Sequence, residues 1–399
     1  MNLTNDQYSA FNKLNKWYRK YNQQFISISG VVGTGVLSLI QHFFEYVNIS
    51  KQEAMYLSFN QKQVLDLAFQ KYHAYHLTSI IYNYIKMIDF DTLPVVNRYS
   101  REVKYEWKKD VRKKVDRRYK IIVVFDSTLL NHQTINDLST FGIPVILISD
   151  PMLLPAPDTY MFAREPNIEL YEPQSTSLNS PIVYFAHKII NQERIDPGNY
   201  DTVTVIPKKQ LNLYNLKSSD MNITLSDAMM IDINKLYREK ILKRKDNINV
   251  VNERVIVDET LYNRSLNNQD NEKVKIFLTK GVVGNLSKVN KHAQTTKYVG
   301  VNFKPEFYHE EFTYLMMDRY HLNGIDTQVD QLIPDEVLKV KYAYALSAAM
   351  SRLSYWDKVT LILDESSDSL MRSCYDPELQ RRLMYTGITR AKKYLNIVM

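Results

Sequence analysis

Cysteine is almost absent: the 399-residue chain carries a single one, Cys374. That excludes an internal disulfide framework and any CxxC metal site. The eight histidines form neither an HExxH pattern nor a His–Cys pairing, so the expectation is no metal centre and a reducing compartment. Long apolar runs are missing too. None approaches the ~18 residues a membrane span needs, and mean hydropathy is −0.35. The polar start, Met1-Asn2-Leu3-Thr4-Asn5-Asp6, has no basic stretch ahead of an apolar core, which predicts no secretory leader, no membrane contact and a cytoplasmic location. Glycine is scarce, ten in all, yet Gly30, Gly33 and Gly35 fall within six residues. A chain that concentrates its glycine at one point needs unusual torsions or close backbone approach there.

What is present is an α/β alternation. At roughly 100–200 residues per domain the length fits two or three domains, and 45% apolar content suffices for sizeable cores. Phe25-Ile26-Ser27-Ile28-Ser29 reads as a buried strand and Val36 to Phe44 as a helix, so the glycines lie in a strand–loop–helix context. Ile121 to Phe125 and Val145 to Ile148 are continuous apolar runs, as central parallel strands require. They end at Asp126 and at Ser149-Asp150, the carboxyl end where open sheets bind ligands. Pro144, Pro151, Pro155 and Pro157 then mark a boundary. The second half reads as a helix at 181–190, strands at 274–279 and 359–363, a helix at 383–390 and a closing strand at 394–398. The predicted architecture is two α/β domains with parallel central sheets and a cleft between them. They span residues 1–158, with a basic insertion about 85–120, and 159–399, with a short insertion about 295–340.

Net charge is +7. Between Arg101 and Lys120, ten Lys/Arg stand against four Asp/Glu, so +6 lies in one segment. Val103, Trp107, Val111 and Val115 recur every four residues, which predicts an amphipathic helix over 101–118. Lys108, Lys109, Arg112 and Lys113 are then either plain surface charge or a strand-tracking arm.

These segments carry a resemblance to superfamily 1 DNA helicases of the RecD-like and phage Dda-like group, with a UvrD-like C-terminal half. Leu3-Thr4-Asn5-Asp6-Gln7 is similar to the Q motif, and Gly30 to Ser38 resembles motif I. Phe125-Asp126 sits where motif II begins, and Ile148 to Pro155 resembles motif III. Leu170-Tyr171-Glu172 through Ser180-Pro181-Ile182 resembles the LTExxRQ…SPI segment. Tyr344 to Ser347 through Trp356 to Val359 resembles motif V, and Tyr385 to Lys393 is close to the YTAITRAKK of motif VI. The resemblance implies two RecA-like domains of the P-loop NTPase type, ATP and magnesium in the cleft, and single-stranded DNA across both domains. Ser58 to Lys62 lies where motif Ia is expected to hold that strand, and Lys280, Lys288 and Lys291 near motif IV are further nucleic-acid candidates. The stretch 295–340 reads as too short for the SH3-like insertion of Dda-like enzymes.

The departures decide the functional reading. Val36 stands where motif I has its phosphate-binding lysine, and Leu37 where it has its magnesium hydroxyl. Ser127 replaces the water-activating Glu, Leu153 the γ-phosphate-sensing Gln, and Ser175 the arginine of the LTExxRQ segment. Leu353 ends a motif V lacking its usual polar residues. Gln7, Gly30, Gly33, Gly35, Asp126, Asp150 and Arg390 remain as a vestigial nucleotide site. A lost general base costs about 10²–10⁴-fold and a lost charge donor about 10²–10³-fold, so no catalytic residue, ATP hydrolysis or cofactor is expected. Asp126 and Asp150 also read as turn residues and Arg390 as part of a packed helix, while the glycines with Arg390 leave structural nucleotide binding open.

Three functions follow: a helicase-like pseudoenzyme that binds single-stranded nucleic acid, an unidentified protein partner, or both; an active 5′-to-3′ helicase with a diverged site; or a structural or assembly component with no nucleic-acid role. Residue usage rich in Asn, Ile, Lys and Tyr fits an AT-rich genome, and the resemblance points to a phage source and a host-cell cytoplasm.

Overall fold

A computed structural model describes residues 3–20, 22–88, 105–111, 115–154, 165–174, 177, 179–244, 250–267, 275–294, 297–324, 337–363 and 376–399. After the amphipathic helix α1 (Asn5–Lys20), the first domain runs β1 (Phe25–Gly30), α2 (Val36–Tyr46), β2 (Ala54–Ser58), α3 (Gln61–Phe69) and β3 (His73–His76). A hairpin of β4 (Tyr82–Ile88) and β5 (Tyr105–Val111) follows, then β6 (Ile121–Val124), β7 (Val145–Ser149) and β8 (Ile168–Leu170). Six of these strands form an all-parallel sheet in the order β3-β2-β6-β7-β1-β8. Ile121 to Val124 are fully buried, as a sheet covered on both faces demands.

The second domain contributes β9 (Gly198–Tyr200), β10 (Val203–Ile206) and β11 (Met221–Thr224). A long excursion follows through β12 (Arg254–Val257), β13 (Leu261–Asn267), β14 (Lys275–Leu278), β15 (Val283–Gln294), β16 (Tyr298–Pro305), β17 (Phe312–Asp318), β18 (Val337–Leu338) and β19 (Val340–Tyr342). The chain then returns with β20 (Ala345–Ser347), β21 (Trp356–Ile362) and β22 (Ala391–Val398). The second sheet has the order β20-β11-β21-β22-β10-β9, parallel but for its edge strand β9. Two α/β domains with parallel central sheets therefore face each other. Among the described residues no helix is long and apolar enough to cross a membrane.

Several expectations need correction. The segment 101–118 is not helical where it is described: β5 pairs antiparallel with β4, Tyr105 opposite Ile88 and Val111 opposite Tyr82. A four-residue spacing is one helical turn but also two strand periods, so the same spacing fits both. Lys108 and Lys109 thus lie on a strand, while Arg112 and Lys113, like Ser175, lie outside the described residues. The first sheet runs past the boundary expected at 158, because β8 pairs with β1. The strand read at 274–279 is not part of a parallel sheet; β14 pairs with β13 in a two-stranded hairpin. The insertion is larger than 295–340: a third sheet, β18-β17-β16-β15-β12-β19, draws on residues 254 to 342. It is antiparallel except at β18 and buries Val255, Leu286, Val301, Phe303 and Leu315.

Candidate functional site

The glycine loop joins β1 to α2 and faces the second domain. Gly33 (φ 90°) and Gly35 (φ 68°) are left-handed, so a side chain at either would strain the backbone. The room they leave is filled by the protein itself. A Cβ on Gly33 would lie 2.8 Å from Val183 Cγ1, and one on Gly35 would lie 2.5 Å from Gln174 Cδ. At Gly30 the nearest atom would be Val36 Cγ2 at 2.5 Å, so the side chain in the lysine position folds back over the loop. Gln174 N–H also donates to Gly33 O at 2.9 Å.

At Val32 the loop's backbone is also engaged. Val32 N–H donates to the Tyr385 hydroxyl (2.8 Å), and His187 Nε2 bonds Val32 O (2.9 Å). Tyr385 in turn donates to Asp150 Oδ2 (2.6 Å), whose Oδ1 accepts from Met152 N–H (2.9 Å). Tyr385 and His187 belong to helices of the second domain, 377–388 and 181–190, so the contact locks lobe to lobe. A hydrophobic cluster continues the seal: Val31, Met152 and Leu153 of the first domain are buried with Ile182, Phe185 and Tyr385 of the second. Leu153 thus sits in a dry interlobe core, and Leu37 packs on the first domain's own core.

The other retained residues are engaged internally. Gln7 is fully buried; its amide donates to Thr34 O (2.8 Å) and accepts from Thr4 N–H (3.1 Å). It props the loop, with both ends of its amide in use. Arg390 donates to the carbonyls of Arg352 (2.6 Å) and Ser354 (3.4 Å). Arg352, buried at 7% exposure, reaches Thr128 in the turn after Asp126. Asp126 stands at φ 52°, and burial raises its pKa against the pull of Arg352 and Arg390. Burial likewise lowers both guanidinium pKa values, that of Arg352 to about 10, while Asp126 and Asp150 oppose the drop. Two acids and two bases therefore compensate each other inside the cleft. Ser127 is buried and its hydroxyl has no protein partner. These residues fit a magnesium–triphosphate poorly: the Val32 donor is taken, side chains crowd Gly30, Gly33 and Gly35, and Val36 and Leu37 offer no charge or hydroxyl.

Sequence reasoning missed Gln174 and His187 altogether. It placed Tyr385 in a core helix and read no role for Arg352 beyond a departure from motif V. The available signal was Arg352 itself, a new cation beside the retained Asp126.

The expected DNA track is also occupied. Gln61 Nε2 donates to Lys275 O (3.3 Å) and Gln61 Oε1 accepts from Phe277 N–H (3.4 Å), so β14 is pinned on the first domain. Lys62 Nζ donates to Tyr355 O (2.8 Å) and lies 4.5 Å from that ring's centroid, with Lys392 at 3.9 Å. Burial first, then Lys392, lowers the Lys62 pKa. Of the other candidates, Lys280 is exposed and 3.8 Å from Asp258, Lys288 is exposed, and Lys291 falls on β15.

Asp150 predicts a pH dependence. Its pKa is pushed up to about 6, by burial first, against the Tyr385 and Met152 hydrogen bonds that hold it down. Its protonated form favours the folded state, so the contribution is complete below the unfolded pKa of about 3.9 and is lost as pH rises through about 6. The shift corresponds to about 3 kcal/mol. His76 acts oppositely: burial lowers it to about 4, so its contribution is gained with rising pH. Asp150→Asn separates the two. Between pH 4.5 and 7.5, urea unfolding should show the stability of wild type relative to the variant falling by about 2 kcal/mol, the His76 gain being common to both.

No protein-family model and no curated protein sequence matches the chain. Solved structures do overlay on its full length. One of two coordinating Pif1 helicases unwinding forked DNA is 10% identical, with 92% of that chain covered and a TM-score of 0.45. Pif1 helicase from Candida albicans is 11% identical, 95% covered, at 0.43. Bacteroides Pif1 bound to single-stranded DNA is 11% identical, 92% covered, at 0.44.

Proposed function

We propose that this chain is a helicase-like pseudoenzyme, phage-encoded, that has lost ATP hydrolysis and works by binding single-stranded nucleic acid, a protein partner, or both. One observation carries the reading: the Tyr385 hydroxyl occupies the Val32 N–H of the glycine loop and is anchored to Asp150. A backbone donor that would cradle phosphate is thereby used to join the lobes. Val36, Leu37 and Leu153 support it by placing apolar groups where charge would have to be solvated. Phosphoryl transfer is almost wholly positioning and charge stabilisation, so a cleft without lysine, metal hydroxyl, base and sensor retains little of it.

The nucleic-acid arm rests on the helicase-like frame and on exposed lysines, and the protein arm on Gln61 and Lys62 being consumed within the chain. ATP hydrolysis measured with and without single-stranded DNA tests the reading. The expected result is no turnover above buffer in either condition; DNA-stimulated hydrolysis would overturn it in favour of a working motor.

A further inference from the structure

The outer face of the third sheet holds a conformational anomaly. Tyr314 on β17 has φ 56°, a left-handed torsion that is a genuine outlier for a bulky residue, and its side chain is 84% exposed. The cause is a bulge. Val301 pairs with Leu315 and Phe303 with Phe312, so Thr313 and Tyr314 together oppose Asn302. Asn302 supports the bulge by accepting from Tyr314 N–H (3.3 Å) while its amide donates to Glu311 (2.8 Å). Strain of this kind persists only where the surrounding structure enforces it, as the bulge and Asn302 do. Here it lifts an aromatic ring into solvent from a sheet whose inner face is well packed.

The neighbours are basic. Lys288 pairs across from Asn302, two strands from Tyr314, and Lys304 lies one strand from the bulge; both are exposed. Adjacent strands are about 4.8 Å apart, so the two lysine positions stand one and two strand spacings from the bulge. Glu311 sits between them, its pKa lowered first by the Ser287 hydroxyl and also by both lysines, which leaves the patch with one net positive charge.

We infer that this face is a stacking platform for single-stranded nucleic acid: one base lies on Tyr314, and Lys288 and Lys304 contact the flanking phosphates. The inference rests on the nucleic-acid arm of the proposed function and moves the contact away from the motif Ia track, where Gln61 and Lys62 are already spent. An exposed ring stacks on any base, while lysines follow the backbone charge, so the platform reads no sequence.

Anisotropy titration of labelled oligo-dT against the full chain tests it. Tyr314→Ala should weaken binding about 5- to 100-fold and Tyr314→Phe should bind like wild type. Lys288→Glu and Lys304→Glu should each reduce the dependence on salt between about 50 and 200 mM. Tyr314→Gly provides the control against a merely structural role, because glycine accepts the left-handed torsion: it should raise the melting temperature by a few degrees while still losing affinity. Binding by wild type that Tyr314→Ala and Tyr314→Gly leave unchanged would overturn the platform and spare the nucleic-acid reading. A wild-type chain that binds no oligo-dT, with Tyr314 then free for a protein contact, would overturn both.

Discussion

Replacing Glu253 by alanine is expected to cost about 3–5 kcal/mol in urea unfolding, the penalty for breaking a buried ion pair by removing one partner. Glu253 is fully buried at the point where the chain enters the third sheet. Arg238 Nε stands 3.2 Å and Arg244 Nη1 2.9 Å from one carboxylate oxygen, and the Tyr344 hydroxyl donates to the other at 2.7 Å. Arg238 also covers the Tyr342 ring at 4.2 Å, and Tyr237 stacks on Tyr344 with centroids 4.7 Å apart. The exit strand β19 and the helix before the sheet are thus held on one carboxylate. Losing it removes the carboxylate that faces Arg238, which is 7% exposed. The paired change Glu253→Leu with Arg238→Met should recover much of the loss, because a buried ion pair is often replaceable by well-packed apolar groups. A single Glu253→Ala variant within 1 kcal/mol of wild type would show that the junction does not depend on it.

The parallel sheets were legible because both-face burial writes continuous apolar runs such as Ile121 to Val124 into the sequence. The glycine loop was legible because glycine is rare elsewhere. The third sheet was not. Its strands alternate buried and exposed residues with interruptions at bulges, as between Leu286 and Lys288, and these break the period that a reader follows. The hairpin β4–β5 failed differently, because the spacing of Val103, Trp107, Val111 and Val115 satisfies two periods at once. Around the glycine loop the apolar or small residues at Val36, Leu37, Ser127 and Leu153 were legible. What fills the space was not, because the filling is non-local: Tyr385 meets a loop residue 353 positions away. Sequence patterning records which side chains are apolar and carries no trace of which distant hydroxyl will accept from a given N–H. Gln7 shows the limit well, since a buried amide bonding Thr34 O and the glutamine of a nucleotide site are the same letter in the same place.

Tyr385→Phe is expected to destabilise the chain by about 2–4 kcal/mol, since it removes one oxygen that serves two buried partners. Val32 N–H loses its acceptor and Asp150 loses a donor, each at about 1–3 kcal/mol for a group left unsatisfied. The two losses are coupled through that oxygen, so Asp150→Asn and Tyr385→Phe should be non-additive in a double-mutant cycle, with an interaction of about 0.5–3 kcal/mol. The variant also separates a blocked nucleotide site from one that has lost its chemistry. Removing the hydroxyl frees the loop donor but leaves Val36 over Gly30, Gln174 against Gly35 and Leu153 in the interlobe core. Magnesium–ATP should therefore give no ligand-linked rise in melting temperature with Tyr385→Phe, just as with wild type. A clear upward shift in the variant alone would mean that the hydroxyl was the sole obstacle, that the apolar replacements tolerate a triphosphate, and that the cleft is gated rather than lost.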